Sequence, residues 1–166
     1  MIDHTISALS PLDGRYAARL DALRPLMSEQ GYMHRRVQVE VAWFVALSDA
    51  GFAEFKPLSS GARSYLISLV TNFSEADALA IKAIEKVTNH DVKAIEYFIK
   101  EQLSNHTTLK HITEFVHFAC TSEDINNLAY GLILRDMTEH HILPWLERLL
   151  SQLTQMAITF ADLPLL

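Results

Sequence analysis

The stretch from residue 117 to 127, "HFACTSEDINN", sets an imidazole, a thiol, two hydroxyls, two carboxylates and two amides between apolar runs. Three chemistries are open to such a set. Glu114, His117 and Cys120 recur every three residues, which would put them on one helical face as metal ligands; the spacing is not that of a zinc site, and no fourth ligand is evident. His117 beside Cys120 could form a thiol nucleophile with its base, an arrangement that depends on geometry more than on spacing. Cys120 also reads simply as a small buried residue. The third chemistry is a helix start. Thr121 and Ser122 are favoured N-caps, and Glu123 and Asp124 in the next turn complement the positive end of the helix dipole. The same N–H groups and hydroxyls are a ready site for a carboxylate or phosphate. Two adjacent hydroxyls, where one cap would suffice, favour a cap that also binds.

Two smaller sets accompany it. In "TNHDVK", residues 88 to 93, Asn89 supplies a neutral donor, His90 a titratable ring and Asp91 an acceptor at a helix junction, where scaffolds place functional groups. The plainer alternative is Asp91 capping a helix beside an exposed His90. In "DGRY", Arg15 offers a bidentate fork for a carboxylate or phosphate and Tyr16 an aromatic face with a hydroxyl. After a turn, such a pair is otherwise ordinary surface.

These groups need rigid elements behind them, and the pattern of the chain predicts helices. Only five Gly and five Pro interrupt 166 residues, and the apolar residues recur at three- and four-residue spacing without alternating. The expected fold is all-α. "SALSPLDGRY" is irregular, with a turn at Pro11 and Asp13-Gly14. Pro25 suits a first helical turn, and Ser28 caps a run to Ala50 whose apolar face is Val37, Val41, Phe44, Val45 and Leu47, with Gly51 ending it. A helix over about 61–73 follows, capped by Ser59 or Ser60. Ser74 and Asp77 form a capping box for another, to about Thr88. The next is capped by Asp91 and carries Val92, Ile95, Phe98, Ile99 and Leu103 on one face.

A boundary is expected in the polar "SNHTTLK", dividing an N-terminal helical domain, 1–110, from the start of a helical bundle, 111–166. In the second part Ile142, Leu146, Leu149, Leu153, Met156 and Phe160 keep a seven-residue period, the mark of a supercoiled seam. A helix from Ser122 would run about 60 Å, with Pro144 bending it or removing one backbone hydrogen bond. Nothing else in the chain is long enough to cover that seam. Its partners are expected from other chains or from a longer version of this one.

Composition narrows the function classes. A net charge of −6, without dense runs of Lys or Arg, argues against nucleic acid or an anionic membrane surface as partner. The single cysteine allows no internal disulfide, and no window approaches a membrane span, so a soluble protein of a reducing cytoplasm is expected.

Taken in order, "SPLDGRY", "RRVQVEVAWF", "TNHDVKAIEYF" and "EFVHFACTSEDINNL" closely resemble the N-terminal part of the adenylosuccinate lyase family in its bacterial form. The resemblance spans nearly the whole chain. It implies the fumarase and aspartase superfamily, whose members are all-helical homotetramers with a long central bundle and active sites shared between subunits. It further implies β-elimination of fumarate from adenylosuccinate, giving AMP, and from the succinyl-carboxamide ribotide of purine biosynthesis, with no cofactor and no metal. By motif, Arg15 and Tyr16 would meet the phosphate end of the nucleotide, and Asn89, His90 and Asp91 would line the nucleotide region. Thr121 and Ser122 would hold a succinyl carboxylate. The family's general acid, a His in a Ser-Arg-Thr-His-Gly-Gln type motif, and its base, a Ser on a mobile loop, have no counterpart in these residues. The chain is therefore expected to be an N-terminal fragment, inactive alone, with no catalytic residue of its own. A non-catalytic helical oligomerisation module is the alternative from a different class. Another fumarate-releasing lyase is the alternative within the superfamily, though "TNHDVKAIEYF" resembles the purine enzyme.

Overall fold

A computed structural model describes residues 6–164, and among these it contains only helices and turns. Two 3-10 turns, Ala17–Arg19 and Asp21–Leu23, lead into α1 (Arg24–Met27), α2 (Glu29–Asp49), α3 (Ser60–Thr71), α4 (Glu75–Thr88) and α5 (Asp91–Ser104). After a 3-10 turn at Thr113–Phe115 come α6 (Ser122–Met137), a π-helical segment (Thr138–Ile142) and α7 (Leu143–Thr159). The all-α expectation holds.

Local chemistry sets most of the helix starts. Pro25 lies in the first turn of α1, where its missing N–H has no helical partner to lose. Ser28 Oγ accepts from the Gly31 N–H at 3.1 Å to open α2, and Ser59 Oγ accepts from the Ala62 N–H at 3.3 Å to open α3. At α4 the capping box is reciprocal: Asp77 Oδ2 accepts from the Ser74 N–H at 2.8 Å, and Ser74 Oγ accepts from the Asp77 N–H at 3.4 Å. Each such cap contributes about 1 kcal/mol.

The cap of α5 differs from the expected one. Asp91 is the first helical residue, and His90 precedes it as the cap, its Nδ1 accepting from the Lys93 N–H at 3.2 Å. Asp91 is thereby released to pair elsewhere.

Helix α2 is central and touches α1, α3, α4, α5 and α6. Its Met33, Val37, Val41, Phe44 and Leu47 enter the main core with Leu66 of α3, Ile81 of α4 and Ile95, Phe98, Ile99 and Leu103 of α5. The segment after α5 returns to this core through Leu109 and Val116, and Phe55 stacks on Phe115 at 4.4 Å. A second cluster joins Val39 of α2 and Val92 of α5 to Ile125 and Ala129 of α6, with Cys120 packed against it. That cluster seats the start of α6.

From Ser122 the helix continues without a break to Thr159. Pro144 has no N–H to give a carbonyl four residues back, and the chain answers with the π-helical widening at Thr138–Ile142 just before it. No residue of α7 is buried. Its heptad positions Leu146, Leu149, Leu153 and Met156, with Phe160 beyond, each stay about half exposed, so the seam is uncovered, as its period implies.

Candidate functional site

At the start of α6, Asp124 Oδ2 accepts from the Thr121 backbone N–H at 2.7 Å and from the Thr121 hydroxyl at 3.2 Å. Thr121 is thus taken up by the cap. Ser122 makes no side-chain hydrogen bond among the described residues, so its hydroxyl is the one left to present, beside first-turn N–H groups that a helix leaves without partners. The two hydroxyls, alike in the sequence, differ in the structure: that of Thr121 bonds Asp124, and that of Ser122 has no hydrogen-bond partner among the described residues.

At the start of α5, Asn89 closes α4 in the left-handed conformation, φ 51°, which short amide side chains tolerate. Because His90 Nδ1 accepts a backbone hydrogen bond, the neutral ring carries its proton on Nε2 and turns a donor outward. Asp91 Oδ2 meets Arg36 NH2 at 2.5 Å. Burial works to raise the Asp91 carboxyl, but the Val92 N–H and the Arg36 guanidinium outweigh it and hold the carboxyl below its usual range. Asp91 stays charged.

Arg36 connects the two helix starts. Its side chain is buried, its NH2 bonds Asp91 of α5, and its Nε donates to Asn126 Oδ1 of α6 at 2.9 Å. The guanidinium lies 3.9 Å over the Tyr32 ring, and the Tyr32 hydroxyl donates to the same Asn126 oxygen at 2.9 Å. Burial is the largest of the effects that push Tyr32 up to about 12, so its phenol keeps its proton. Asn126 Nδ2 then donates to Glu123 Oε1 at 2.9 Å. One chain of contacts therefore runs from Asp91 through Arg36 and Asn126 to Glu123, next to Ser122.

Not all expected members join this assembly. Arg15 and Tyr16 are exposed, with the Arg15 guanidinium 5.7 Å from the Tyr16 ring centroid. Among the described residues no hydrogen bond or ion pair links them to Asn89, His90, Asp91, Thr121 or Ser122. Arg24, bonded to Asp13, Asp21 and the Ala17 carbonyl, ties down the turn that carries them. The metal-like set also separates: Glu114 pairs with Lys100 at 3.0 Å, and His117 Nδ1 pairs with Glu40 at 2.6 Å. Burial pushes the Cys120 thiol up, with Glu40 and Asp124 adding to the effect, which disfavours the thiolate a nucleophile needs.

Arg36, Glu40, Tyr32 and Asn126 are the residues that spacing did not single out. A signal for two of them was present. Glu40 falls within the stripe Val37, Val41, Phe44 of α2, where an apolar residue belongs, and Arg36 stands four residues before it on the same face.

A family model described as lyase matches residues 14–166. The chain is 49% identical over 163 residues to the adenylosuccinate lyase of Haemophilus influenzae, 98% of this chain and 36% of that protein. It is 45% identical over 163 residues to the adenylosuccinate lyase of Escherichia coli K12, again 98% of this chain and 36% of that protein. The Vibrio cholerae adenylosuccinate lyase is 44% identical over 162 residues, 97% of this chain and 36% of that protein. The chain thus spans about a third of the length of these relatives. With the all-helical fold and a match over nearly every residue, the chain belongs to the lyase family.

Proposed function

We propose that these residues form the front part of an adenylosuccinate lyase and supply one face of its substrate site. The observation that carries this reading is the Arg36 link, which holds the starts of α5 and α6 together in a chain similar to adenylosuccinate lyases over 98% of its length. Two helix N-termini, one with an outward imidazole N–H and one with a free serine hydroxyl, suit a substrate bearing a phosphate and two carboxylates.

In the elimination, a proton leaves the carbon next to a succinyl carboxylate and the C–N bond to the nucleotide breaks, giving fumarate. Negative charge spreads into that carboxylate as the proton leaves. Ser122 and the first-turn N–H groups of α6 would bind it and stabilise the developing charge. His90 would donate from Nε2 to the nucleotide side, with Asn89 beside it and Asp91 holding the helix start against Arg36. Arg15 and Tyr16 would meet the phosphate from the exposed turn. The proton-transfer groups would come from residues outside this chain, and the 1–110 and 111–166 division would separate an N-terminal helical domain from the start of the bundle. The uncovered α7 seam supports assembly as a homotetramer, and we place the enzyme in the cytoplasm with its soluble substrates. Among the described residues, no helix is long and apolar enough to cross a membrane.

The test is fumarate release from adenylosuccinate and from the succinyl-carboxamide ribotide by the full-length protein, with Arg15→Ala and Asn89→Ala beside the wild type. Both variants should raise KM about tenfold or more, since each removes a polar group that would contact the nucleotide. Release by neither substrate, or wild-type KM in both variants, would overturn the proposal.

A further inference from the structure

Glu40 is fully buried in the middle of α2. Its Oε1 lies 2.6 Å from His117 Nδ1, while Oε2 is buried without a hydrogen-bond partner among the described residues. Buried carboxylate oxygens are ordinarily satisfied, so this one imidazole carries the demand of the whole group. Burial raises the Glu40 carboxyl, as does nearby Glu96 of α5, and the His117 contact opposes both. Glu96 is itself paired with Lys93 and Lys100, and the Cys120 thiol is the other titratable neighbour.

The backbone around His117 is strained. His117 sits at φ 60° and Ala119 at φ 58°, left-handed conformations that non-glycine residues adopt rarely and that persist only where surrounding structure enforces them. The enforcement comes from α2. Glu40 holds the His117 ring, and Trp43, three residues on, donates from Nε1 to the Phe118 carbonyl at 2.8 Å. Three and four residues past Phe118 the chain reaches Thr121 and Ser122.

We propose that Glu40 and His117 are a positioning pair: their hydrogen bond locks the strained 117–119 turn and so fixes where Ser122 presents its hydroxyl to a substrate carboxylate. Neither side chain touches substrate. The pair acts through the turn, and the inference rests on the role proposed above for Ser122.

The test separates the ring's hydrogen bond from its backbone conformation. His117→Asn keeps an amide N–H near the place of Nδ1 and tolerates positive φ; His117→Gly tolerates positive φ but has no donor. In the full-length protein, positioning predicts that H117N keeps kcat/KM for adenylosuccinate within about threefold, whereas H117G loses about thirtyfold, a fraction of the effect of deleting a charge-stabilising donor outright. Hydrogen–deuterium exchange of the backbone over 116–124 reads the same lock without substrate. It should quicken at least about tenfold in H117G and stay near wild type in H117N. Equal kcat/KM in the two variants, or wild-type exchange in H117G, would overturn the pair's role. If the wild type releases no fumarate, the substrate reading fails by itself, and exchange still decides whether the pair locks the turn. Should H117G not fold, Glu40→Gln decides: it keeps an acceptor for the ring N–H, so kcat/KM should stay within about fivefold. A loss beyond about a hundredfold at an unchanged melting temperature would count against positioning.

Discussion

Replacing Arg36 by Met tests whether the link between the helix starts is structural. Methionine keeps most of the aliphatic stem, so the loss is chiefly that of the guanidinium contacts. The bond to Asp91 is charge-assisted, but Asp91 is half exposed, which reduces it to about 1 kcal/mol. The bond from Nε to Asn126 is buried and charged on one side, about 1.5 kcal/mol. The stacking over Tyr32 adds about 0.5 kcal/mol. R36M should therefore lower unfolding stability by about 3 kcal/mol, measured by urea denaturation with helical circular dichroism as the signal. Arg24 is the control: it also has carboxylate partners, Asp13 and Asp21, but in the open, and R24M should cost less than about 1 kcal/mol. A double-mutant cycle of R36M with Asp91→Asn should return a coupling near 1 kcal/mol. Equal losses in R36M and R24M, or a loss below about 1 kcal/mol in R36M, would refute the link.

Two further perturbations test the fold around the site. At Gly31 an added Cβ would stand 2.5 Å from the Pro25 carbonyl oxygen and 2.8 Å from backbone atoms of Leu26. Gly31→Ala should therefore destabilise by about 2 kcal/mol by thermal denaturation, although helix propensity alone favours alanine by about 1 kcal/mol; a stabilised G31A would show that α1 gives way. His34 Nε2 donates to the Val70 carbonyl at 2.8 Å and its ring stacks on Phe73, and burial holds its pKa below the ordinary value of 6.5. A depressed folded value means that its stabilisation is complete above pH 6.5 and is lost as pH falls through the lower, folded value. The stability advantage of wild type over His34→Phe should shrink on acidification from pH 7; an advantage that grows would contradict this sign.

The helices and their caps were legible because they rest on local chemistry. Ser28, Ser59 and the Ser74–Asp77 box act within one turn of sequence, and the α5 face from Val92 to Leu103 repeats at helical spacing. The α5 cap was misread for an equally local reason: Asp91 is the stronger capping residue in general, but here Arg36, 55 positions away in sequence, claims its carboxylate and His90 takes the role. The Glu40–His117 pair crosses 77 positions, and no spacing rule reaches that far. A charge inside the apolar stripe of α2 was the only trace it left. Thr121 and Ser122 could not be told apart until Asp124 was seen to engage one of them.

The most direct measurement on the substrate-site proposal is kcat/KM for fumarate release from adenylosuccinate by the full-length protein, compared across Ser122→Ala, Thr121→Ala and wild type. Ser122→Ala removes the hydroxyl left free beside the helix N-terminus, and loss of one such donor is worth about a hundredfold to a thousandfold in turnover. Thr121→Ala removes a capping hydroxyl, and should cost about 1 kcal/mol of stability with a smaller loss of activity. A loss of at least about a hundredfold in S122A, larger than that in T121A, is the expected result. Wild-type kcat/KM in S122A would show that the start of α6 does not hold the substrate.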